Sequence, residues 1–227
     1  MKHEFRYLTF DCYGTLVDWE SGIKNTIRTI LDDKGVTGDI ERLYKTREDL
    51  EFELIQSEYR TYREILALSL KETFVQFHLP YSNRDGERLA ESVPSWPIFP
   101  DTVTSLVRLS RTGKLCIISN IDMDIIAKTK ARIGVRFDVT VAAQEVRSYK
   151  PNIRPFQLAL ETIKVKSSEV LHVSSGFRYD IPPAHQLGFN TVWINRKHEK
   201  APMGFFADYE FKNLSDFADF MEKNETK

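Results

Sequence analysis

The distribution of apolar residues divides the chain into one segment that predicts only helices and a remainder that predicts strands as well. An apolar run over Phe5–Cys12 predicts the first strand. From about Trp19 to about Pro94, apolar residues recur at helical intervals, and no strand pattern of any length interrupts them. Four residues divide this segment into about four helices: Gly35, Gly38, Pro80 and Gly86. A helical block of this size is too long for a loop and predicts a subdomain inserted after the first strand.

Beyond the helical block, strand-like runs alternate with helical patterns. Strands are predicted over Lys114–Asn120, over Phe137–Val141 and from Val170 onward, with a helix over Met123–Ile133 after the second strand. A last amphipathic helix is predicted within Asn213–Lys227. We therefore predict an α/β protein with a doubly wound, Rossmannoid parallel sheet. Its core would comprise residues 1–16 and 96–227, and a helical cap would comprise residues 17–95.

Polar and charged residues follow the predicted strands at the points where the strands end. Asp11 follows the first strand, and Gly14 lets the backbone turn away from it. Asp180 follows the strand that begins at Val170, and Lys150 directly precedes a proline, which favours an extended backbone at the lysine. In open parallel sheets, ligands bind outside the carboxyl ends of the strands. These residues are therefore the candidates for a functional site.

The amino-acid composition argues against some function classes and indicates where in the cell the protein is expected. The 227 residues include 32 basic and 33 acidic side chains, a balance that argues against a dedicated nucleic-acid-binding protein. No apolar run reaches the length of a membrane span, and Met1–Glu4 lacks the core of a signal peptide, so we expect a cytoplasmic protein without membrane contact. Cys12 and Cys116 are expected to be buried free thiols, and His172 and His185 to be structural or surface residues.

The segment Asp11–Leu16 resembles the first motif of the haloacid dehalogenase superfamily. The resemblance implies that Asp11 is a nucleophile that forms a covalent aspartyl intermediate. Most members of that superfamily are phosphatases, which carry a second aspartate two residues after the nucleophile. This chain has Tyr13 there, and a phenol with a pKa near ~10 is a poor proton donor at neutral pH. The motif therefore favours the dehalogenase branch over phosphoryl transfer.

The last strand end also differs from the phosphatase pattern. Phosphatases of the superfamily have two acidic residues there, five positions apart, but counting back from Asp180 reaches Ser175. Asp11 and Asp180 remain as possible Mg²⁺ ligands, so the metal site is weakened but not excluded. The run Val173–Ser175, with Leu187–Arg196 further on, resembles the type II (L-)2-haloacid dehalogenases.

This resemblance implies a metal-free reaction on a small 2-haloalkanoic acid. Asp11 would attack carbon 2, Lys150 would hold Asp11, and Asp180 would position water, with Ser175 as a further catalytic residue. No cofactor would be required. The expected substrate-binding residues are Tyr13, Thr15, Lys45, Ser119, Asn120, Ser174 and Tyr179.

Lys45 occupies the position at which type II dehalogenases carry a halide-binding arginine in the cap. Arg47 lies nearby, but a two-residue offset on a helix points in another direction. Whether Lys45 or Arg47 replaces that arginine therefore stays open. Because this chain has a lysine where the family has that arginine, the identity of the leaving group also stays open.

Other functions remain as alternatives. The segments Thr9–Glu20, Ser119–Asp122 and Ser148–Asn152 resemble the azetidine-2-carboxylate hydrolase, a dehalogenase relative that opens a strained ring by the same attack. A Mg²⁺-dependent phosphatase of small phosphate esters would use Asp11 as nucleophile and Asp180 as ligand. The resemblance also implies a homodimer. The dehalogenase and the ring-opening hydrolase share a small carboxylate-bearing substrate and Asp11 as nucleophile.

Overall fold

Six parallel strands form the centre of the molecule in this computed structural model, which describes residues 5–225. The strands are, in chain order, β1 (Tyr7–Phe10), β2 (Lys114–Ser119), β3 (Val139–Ala142), β4 (Val170–Ser174), β5 (Asn190–Ile194) and β6 (Tyr209–Phe211). They lie in the order β3-β2-β1-β4-β5-β6, and all neighbouring pairs are parallel. The sheet grows outward in both directions from β1, which confirms the predicted doubly wound α/β fold.

Helices connect the strands and cover the sheet. In chain order they are α1 (Trp19–Asp33), α2 (Ile40–Leu54), α3 (Tyr62–Gln76), α4 (Asn83–Ser92), α5 (Thr102–Leu109), α6 (Met123–Ile133), α7 (Ala143–Val146), α8 (Arg154–Ile163), α9 (Phe177–Gln186) and α10 (Leu214–Glu225). Two short 3-10 helices cover Val93–Ser95 and Ser167–Glu169. Helices α1 to α4 all lie between β1 and β2, where the helical block is predicted.

Acidic side chains fix the starts of α1 and α2. The carboxylate of Asp18 accepts a hydrogen bond from the backbone N–H of Ser21, at 3.1 Å, where α1 begins. Asp39 does the same for the N–H of Glu41 at the start of α2, also at 3.1 Å. Each bond satisfies an N–H group that the helix itself leaves unpaired.

The strand register brings the polar strand ends together. Phe10, the last residue of β1, pairs with Ile117 of β2 on one side and with Val173 of β4 on the other. Asp11 therefore lies between the carboxyl ends of β2 and β4. That edge of the sheet is the one at which a ligand site is predicted.

The hydrophobic core continues from the sheet into the helical block. Leu8 and Phe10 face one side of β1 and belong to the same buried cluster as Ile27 of α1 and Leu70 of α3. Tyr7 faces the other side and packs in a second cluster with Phe156 of α8. Because apolar packing runs without a break between the two segments, the division at residues 17–95 stays a prediction.

Some element boundaries differ from the sequence prediction. The first strand is shorter than Phe5–Cys12, and the third covers Val139–Ala142 rather than Phe137–Val141. Gly86 does not interrupt the helices but lies inside α4. A Cβ atom on it would lie 2.6 Å from the Cβ of Ala67 in α3, so the glycine allows two helices to approach closely.

The structure bears on one of the two expectations about membranes and targeting. Within residues 5–225, no helix combines the length and the apolar character that a membrane crossing requires. The segment Met1–Glu4, in which we expect no signal peptide, lies outside the described residues.

Candidate active site

Three charged side chains meet at the carboxyl end of the sheet. The Nζ atom of Lys150 donates to Asp11 Oδ1 at 2.9 Å, to Asp180 Oδ1 at 2.7 Å and to the carbonyl oxygen of Ile118 at 3.0 Å. An ammonium has three protons, so every donor of Lys150 is engaged. Lys150 is only 1% exposed. Its role in this arrangement is to hold the two carboxylates, since it has no donor left for another partner.

A second set of donors fixes Asp180. The Nε2 atom of His172 lies 2.8 Å from Asp180 Oδ1, and the Ser174 hydroxyl donates to Asp180 Oδ2 at 2.9 Å. On the far side of the imidazole ring, Nδ1 lies 2.8 Å from the Thr9 hydroxyl. A neutral His172 with its proton on Nε2 satisfies both contacts, because Thr9 then donates to Nδ1. Asp180 is thereby held by two side chains of β4, His172 and Ser174, in addition to Lys150.

Thr15 fixes the other oxygen of Asp11. Its hydroxyl donates to Asp11 Oδ2 at 2.8 Å and accepts from the backbone N–H of Ser175 at 2.8 Å. The Ser175 hydroxyl lies 3.3 Å from the Thr15 oxygen. Gly14, at a φ of +101°, makes the preceding turn, and a Cβ atom there would lie 3.0 Å from the Ser175 hydroxyl oxygen. This close approach explains why a glycine stands there.

Asn120 connects the loop that follows β2 to the loop that carries Lys150. Its side chain donates to the carbonyl oxygen of Lys150 at 2.9 Å and accepts from the Lys150 backbone N–H at 2.7 Å. Ser119 lines the cavity above the site, is only 2% exposed and has a hydroxyl with no hydrogen-bond partner in the described part of the chain. A buried hydroxyl without a partner is costly, so Ser119 is available to bind a ligand.

The pKa values follow from burial and from this hydrogen bonding. Burial raises the pKa of the Asp11 carboxyl, and the Asp180 carboxylate acts in the same direction, while Lys150 and Thr15 oppose it. Burial also works against ionisation of Asp180, but Lys150 and His172 together hold its pKa below the ordinary value. The two carboxylates hold the pKa of Lys150 above its ordinary value despite burial. The site therefore combines an Asp180 carboxylate whose pKa is lowered with an Asp11 carboxyl whose pKa is raised.

A cavity of about 550 Å³ opens above these residues and reaches the helical block. Its aromatic walls are Tyr13, Trp19, Tyr44, Tyr62, Phe99, Phe177, Tyr179 and Trp193. The hydroxyl of Tyr13 is engaged with Thr129 Oγ1 at 2.8 Å, so this tyrosine presents its ring rather than its polar end. Tyr179 packs edge-on against Phe52 of α2, with ring centroids 5.2 Å apart.

Helix α2 supplies charged groups to the same cavity. Lys45, Glu48 and Glu51 line it, and Lys45 is exposed. Arg47 is fully buried and bonds to Glu51 and to the Ser69 hydroxyl instead. Of the two candidates for an anion-binding cation in the cap, Lys45 is the one that lines the cavity.

The residues at the sheet edge do not fit a magnesium site. Lys150 lies between Asp11 and Asp180 and takes one oxygen of each carboxylate. The remaining oxygen of Asp180 accepts from Ser174, and the place of a third acidic ligand is taken by Ser175. Mg²⁺ requires several oxygen ligands in octahedral array, but here an ammonium already occupies the space between the carboxylates.

The structure brings most of the predicted residues together but changes the contacts of two of them. Thr15 and Ser174 are predicted to bind substrate, but both are fully buried, and their hydroxyls bond to Asp11 and Asp180. They therefore position carboxylates. Ser175, Ser119, Asn120, Lys45, Tyr13 and Tyr179 line the cavity as predicted, although their roles in catalysis or binding stay predictions.

His172 is the main residue that the sequence prediction missed. We expect it to be structural or on the surface, but it is fully buried and contacts Asp180 directly. One signal was available. His172 and Thr9 are polar residues inside two apolar strands, and they are register partners in the sheet. Polar residues paired in this way within a buried strand must bond to each other or to a site nearby.

Similar proteins supply an independent view. The sequence model of a family described as haloacid dehalogenase-like hydrolase matches residues 5–188. Over 238 aligned residues, the chain is 26% identical to (S)-2-haloacid dehalogenase 4A of Burkholderia cepacia, with coverage of 100% of this chain and 99% of that protein. It is also 28% identical over 206 residues to (S)-2-haloacid dehalogenase 1 of Pseudomonas sp. (strain CBS-3), with 88% of each protein covered.

A solved structure shares the fold. The L-2-haloacid dehalogenase from Xanthobacter autotrophicus, solved with chloropropionic acid covalently bound, superposes with a TM-score of 0.83. The match covers 96% of this chain and 98% of that chain at 18% identity. At that identity the likeness concerns the arrangement of the sheet and the helices.

Proposed function

Because this chain belongs to the haloacid dehalogenase-like hydrolases, we propose that it converts a small 2-haloalkanoic acid to the 2-hydroxy acid through a covalent ester on Asp11. The membership confirms the resemblance of the Asp11 motif. The names of the two relatives support the substrate class, since both are (S)-2-haloacid dehalogenases and align over most of the chain.

The observation that carries the proposal is the bridging position of Lys150. It holds Asp11 and Asp180 at 2.9 Å and 2.7 Å, so that an ammonium already engages one oxygen of each carboxylate, and Ser175 stands where a phosphatase has a further acidic residue. A halide leaves as a stable anion and needs neither a proton nor a Lewis acid. The arrangement therefore suits displacement at carbon better than phosphoryl transfer.

In the first step, one oxygen of the Asp11 carboxylate attacks carbon 2 of the substrate from the side opposite the halogen. A carbon–oxygen bond forms as the carbon–halogen bond breaks, and the bonding pair leaves with the halide. Lys150 and Thr15 fix the attacking carboxylate, so little orientational freedom is lost on reaction. Tyr13 and Tyr179 line the cavity and exclude water from the reacting atoms, which strengthens the electrostatic interactions there.

In the second step, water attacks the carbonyl carbon of the Asp11 ester. The bond between that carbon and the ester oxygen breaks, and the hydroxy acid departs with the oxygen that came from Asp11 after the proton taken from water is returned to it. The second proton of the water is released to solvent as Asp11 becomes a carboxylate again. Asp180 is the group that orients the water and takes its proton, because its lowered pKa keeps it ionised in the buried site. Asp11 regains its second oxygen from water.

Isotope labelling under single-turnover conditions tests this mechanism. Wild-type protein in excess over L-2-chloropropionate, in H₂¹⁸O with EDTA, should release halide and place ¹⁸O in the peptide that contains Asp11 rather than in the product. Asp11→Asn should lose at least about 10⁴-fold in kcat. The control is Glu161→Gln, which removes a surface carboxylate paired with Arg154. Label found directly in the hydroxy acid would show that water, not Asp11, attacks carbon 2.

A specific observation favours ring opening as a second candidate function. Glu48 lines the cavity, is half-buried and has no hydrogen-bond or ion-pair partner within residues 5–225. A carboxylate among the aromatic rings of Trp19 and Tyr44 suits a cationic nitrogen better than a halide. A strained cyclic amino acid would present such a nitrogen as its leaving group.

A substrate panel distinguishes the candidates. It contains L- and D-2-chloropropionate, chloroacetate, azetidine-2-carboxylate and p-nitrophenyl phosphate, each measured with EDTA and with Mg²⁺. Halide release in EDTA supports the proposal, and ring opening in EDTA supports the second candidate. Phosphate release only with Mg²⁺ contradicts both. Homodimer formation stays a prediction that light scattering tests.

A further inference from the structure

The start of helix α3 is held by two residues that lie next to the site. Asp122 follows Asn120 by two positions, and Tyr149 directly precedes Lys150. Both bond to the cap segment 60–63, which leads into α3. The loops that carry Asn120 and Lys150 are thus the same loops that hold this part of the cap.

Asp122 makes its contacts in an unusual direction. It stands at the N-cap position of its own helix α6, where an aspartate side chain ordinarily bonds to the first turn, but it makes no such bond. Oδ1 instead accepts from the backbone N–H of Tyr62 at 2.9 Å, and Oδ2 accepts from the N–H of Arg63 at 3.1 Å. The Arg63 Nε atom donates to Oδ2 at 3.2 Å. The carboxylate therefore caps α3, across the boundary between core and cap.

Burial makes this contact substantial. Asp122 is fully buried, so its charge is balanced by the two N–H groups at the N-terminus of α3 and by the Arg63 guanidinium. Charge-assisted hydrogen bonds of this kind are stronger than those between neutral groups. A carboxylate on the protein surface would be exposed to water, whereas that of Asp122 is not.

Tyr149 makes a second contact to the same segment. Its hydroxyl donates to the carbonyl oxygen of Arg60 at 2.8 Å. Its ring stacks on Tyr59, with ring centroids 5.6 Å apart and planes inclined by 21°. Two independent contacts, one to N–H groups and one to a carbonyl, thus fix the position and the direction of the segment.

The two loops are also bonded to each other and to the nucleophile. Asn120 joins them through its paired bonds to the backbone of Lys150. Lys150 in turn bonds to Asp11. A path thus leads from the start of α3 through the bonds of Asp122, along the backbone from Asp122 to Asn120, and through the bonds of Asn120 and Lys150 to Asp11.

We propose that Asp122 is a positioning residue that couples the placement of the cap to the placement of Lys150 and, through it, of Asp11. The catalytic consequence rests on the proposed function, but the coupling itself is a property of the free protein. Tyr149 contributes to the same coupling through its contacts to Tyr59 and Arg60. When the cap segment 60–63 moves away from the core, the loops at residues 119–122 and 149–150 lose their external support.

Hydrogen exchange of the free, full-length chain tests the coupling without any substrate. Asp122→Ala should accelerate exchange of the Tyr62 and Arg63 amides, which lose their acceptor, and also that of the Lys150 amide, which Asp122 does not touch. The matched control is Asp124→Ala. It removes only the exposed contact to Arg63 at 2.6 Å and should leave the Lys150 amide unchanged. Faster exchange confined to residues 60–63 in Asp122→Ala would overturn the proposal.

Kinetics give the second readout. Asp122→Ala should lower kcat by about 10- to 100-fold, because displacing reacting groups by a small distance costs that much, while Asp122→Asn, which keeps one acceptor, should recover part of the loss. An unchanged kcat in Asp122→Ala with faster exchange at Lys150 would overturn the catalytic consequence alone. If Asp122→Ala does not fold, Tyr149→Phe, which removes the bond to the Arg60 carbonyl, serves in its place, and faster exchange of the Lys150 amide with a lower kcat is expected of it. Failure of wild-type turnover would count against the proposed function and leave the exchange result decisive for the coupling.

Discussion

Two buried ionic networks in this protein differ in how the chain assembles them. At the sheet edge, Lys150 bonds to Asp11 and to Asp180, which lie 139 and 30 residues from it in sequence. In the cap, Arg47 bonds to Glu51, four residues further along the same helix. The first network needs the whole sheet to form, whereas the second needs a single helix turn.

The networks also differ in how completely their members are satisfied. All three protons of Lys150 have acceptors, but the Nε atom of Arg47 is buried and has no partner among the described residues. Glu51 is completed by the Tyr62 hydroxyl at 2.9 Å and lines the cavity at its cap end. We therefore expect the sheet-edge network to serve the proposed chemistry and the Arg47 pair to contribute to the packing of α2 and α3.

Removal of Lys150 should have the largest effect. Lys150→Met leaves two carboxylates facing each other without a cation, so we expect the free energy of unfolding to fall by about 3 kcal/mol. Activity should fall at least about 10³-fold, because Asp11 loses its positioning donor. Denaturation at neutral pH and halide release under saturating substrate measure the two effects.

The double variant Lys150→Met/Asp180→Asn is the control for that prediction. It removes one of the two unpaired carboxylates and should recover part of the stability without recovering activity. Recovery of activity would contradict both the positioning role of Lys150 and the role of Asp180 in the second step.

Removal of Arg47 should cost stability but little activity. Arg47→Met leaves Glu51 buried without its cation and should lower the free energy of unfolding by about 3 kcal/mol. In the double variant Arg47→Met/Glu51→Met, stability should return, since apolar residues of similar size often replace a buried pair without loss. Measured per folded molecule, kcat should stay within about tenfold of the wild-type value in both. A loss of kcat as large as that of Lys150→Met would show that the two networks do not differ in function and would make Arg47 part of the substrate site.

The same contrast explains what the sequence could and could not predict. Asp11 was predictable because strand ends in a parallel sheet meet at one edge, whereas Lys150 and Asp180 were predictable from the resemblance of their segments to the superfamily's motifs. Gly86 was misplaced because only the approach of Ala67, far away along the chain, decides that a glycine is needed inside a helix. The contacts of Ser174 were also unpredictable, since a strand-end hydroxyl can face a ligand or a neighbouring carboxylate.

Gly176 offers a smaller test at the sheet edge. A Cβ atom on it would lie 3.2 Å from Asp180 Oδ2, the oxygen that bonds only to Ser174. Gly176→Ala should therefore obstruct the approach of water to Asp180 and lower kcat by about tenfold, since an alanine is tolerated at a backbone φ of −78°. Mass spectrometry of the quenched reaction should show accumulation of the Asp11 ester. The control Gly134→Ala lies at the end of α6 and should not accumulate the ester, although its φ of +71° should cost stability.

The smallest expected effect concerns acid stability. Lys150 and His172 lower the pKa of Asp180, so its ionised form stabilises the folded protein above the pKa of the unfolded carboxyl. That stabilisation is lost as the pH falls through the lower folded pKa, below 3.8. His172→Phe removes one of the two causes and should cost about 1 kcal/mol near neutral pH. The loss of stability on acidification should then be smaller than in the wild type and should end at a higher pH, because the folded pKa of Asp180 lies closer to that of the unfolded carboxyl. Urea denaturation from about pH 3 to 7 measures both, with His198→Phe, a residue away from Asp180, as the control. Parallel pH profiles for wild type and His172→Phe would mean that Lys150 alone sets the ionisation of Asp180, and would leave His172 with a role in packing only.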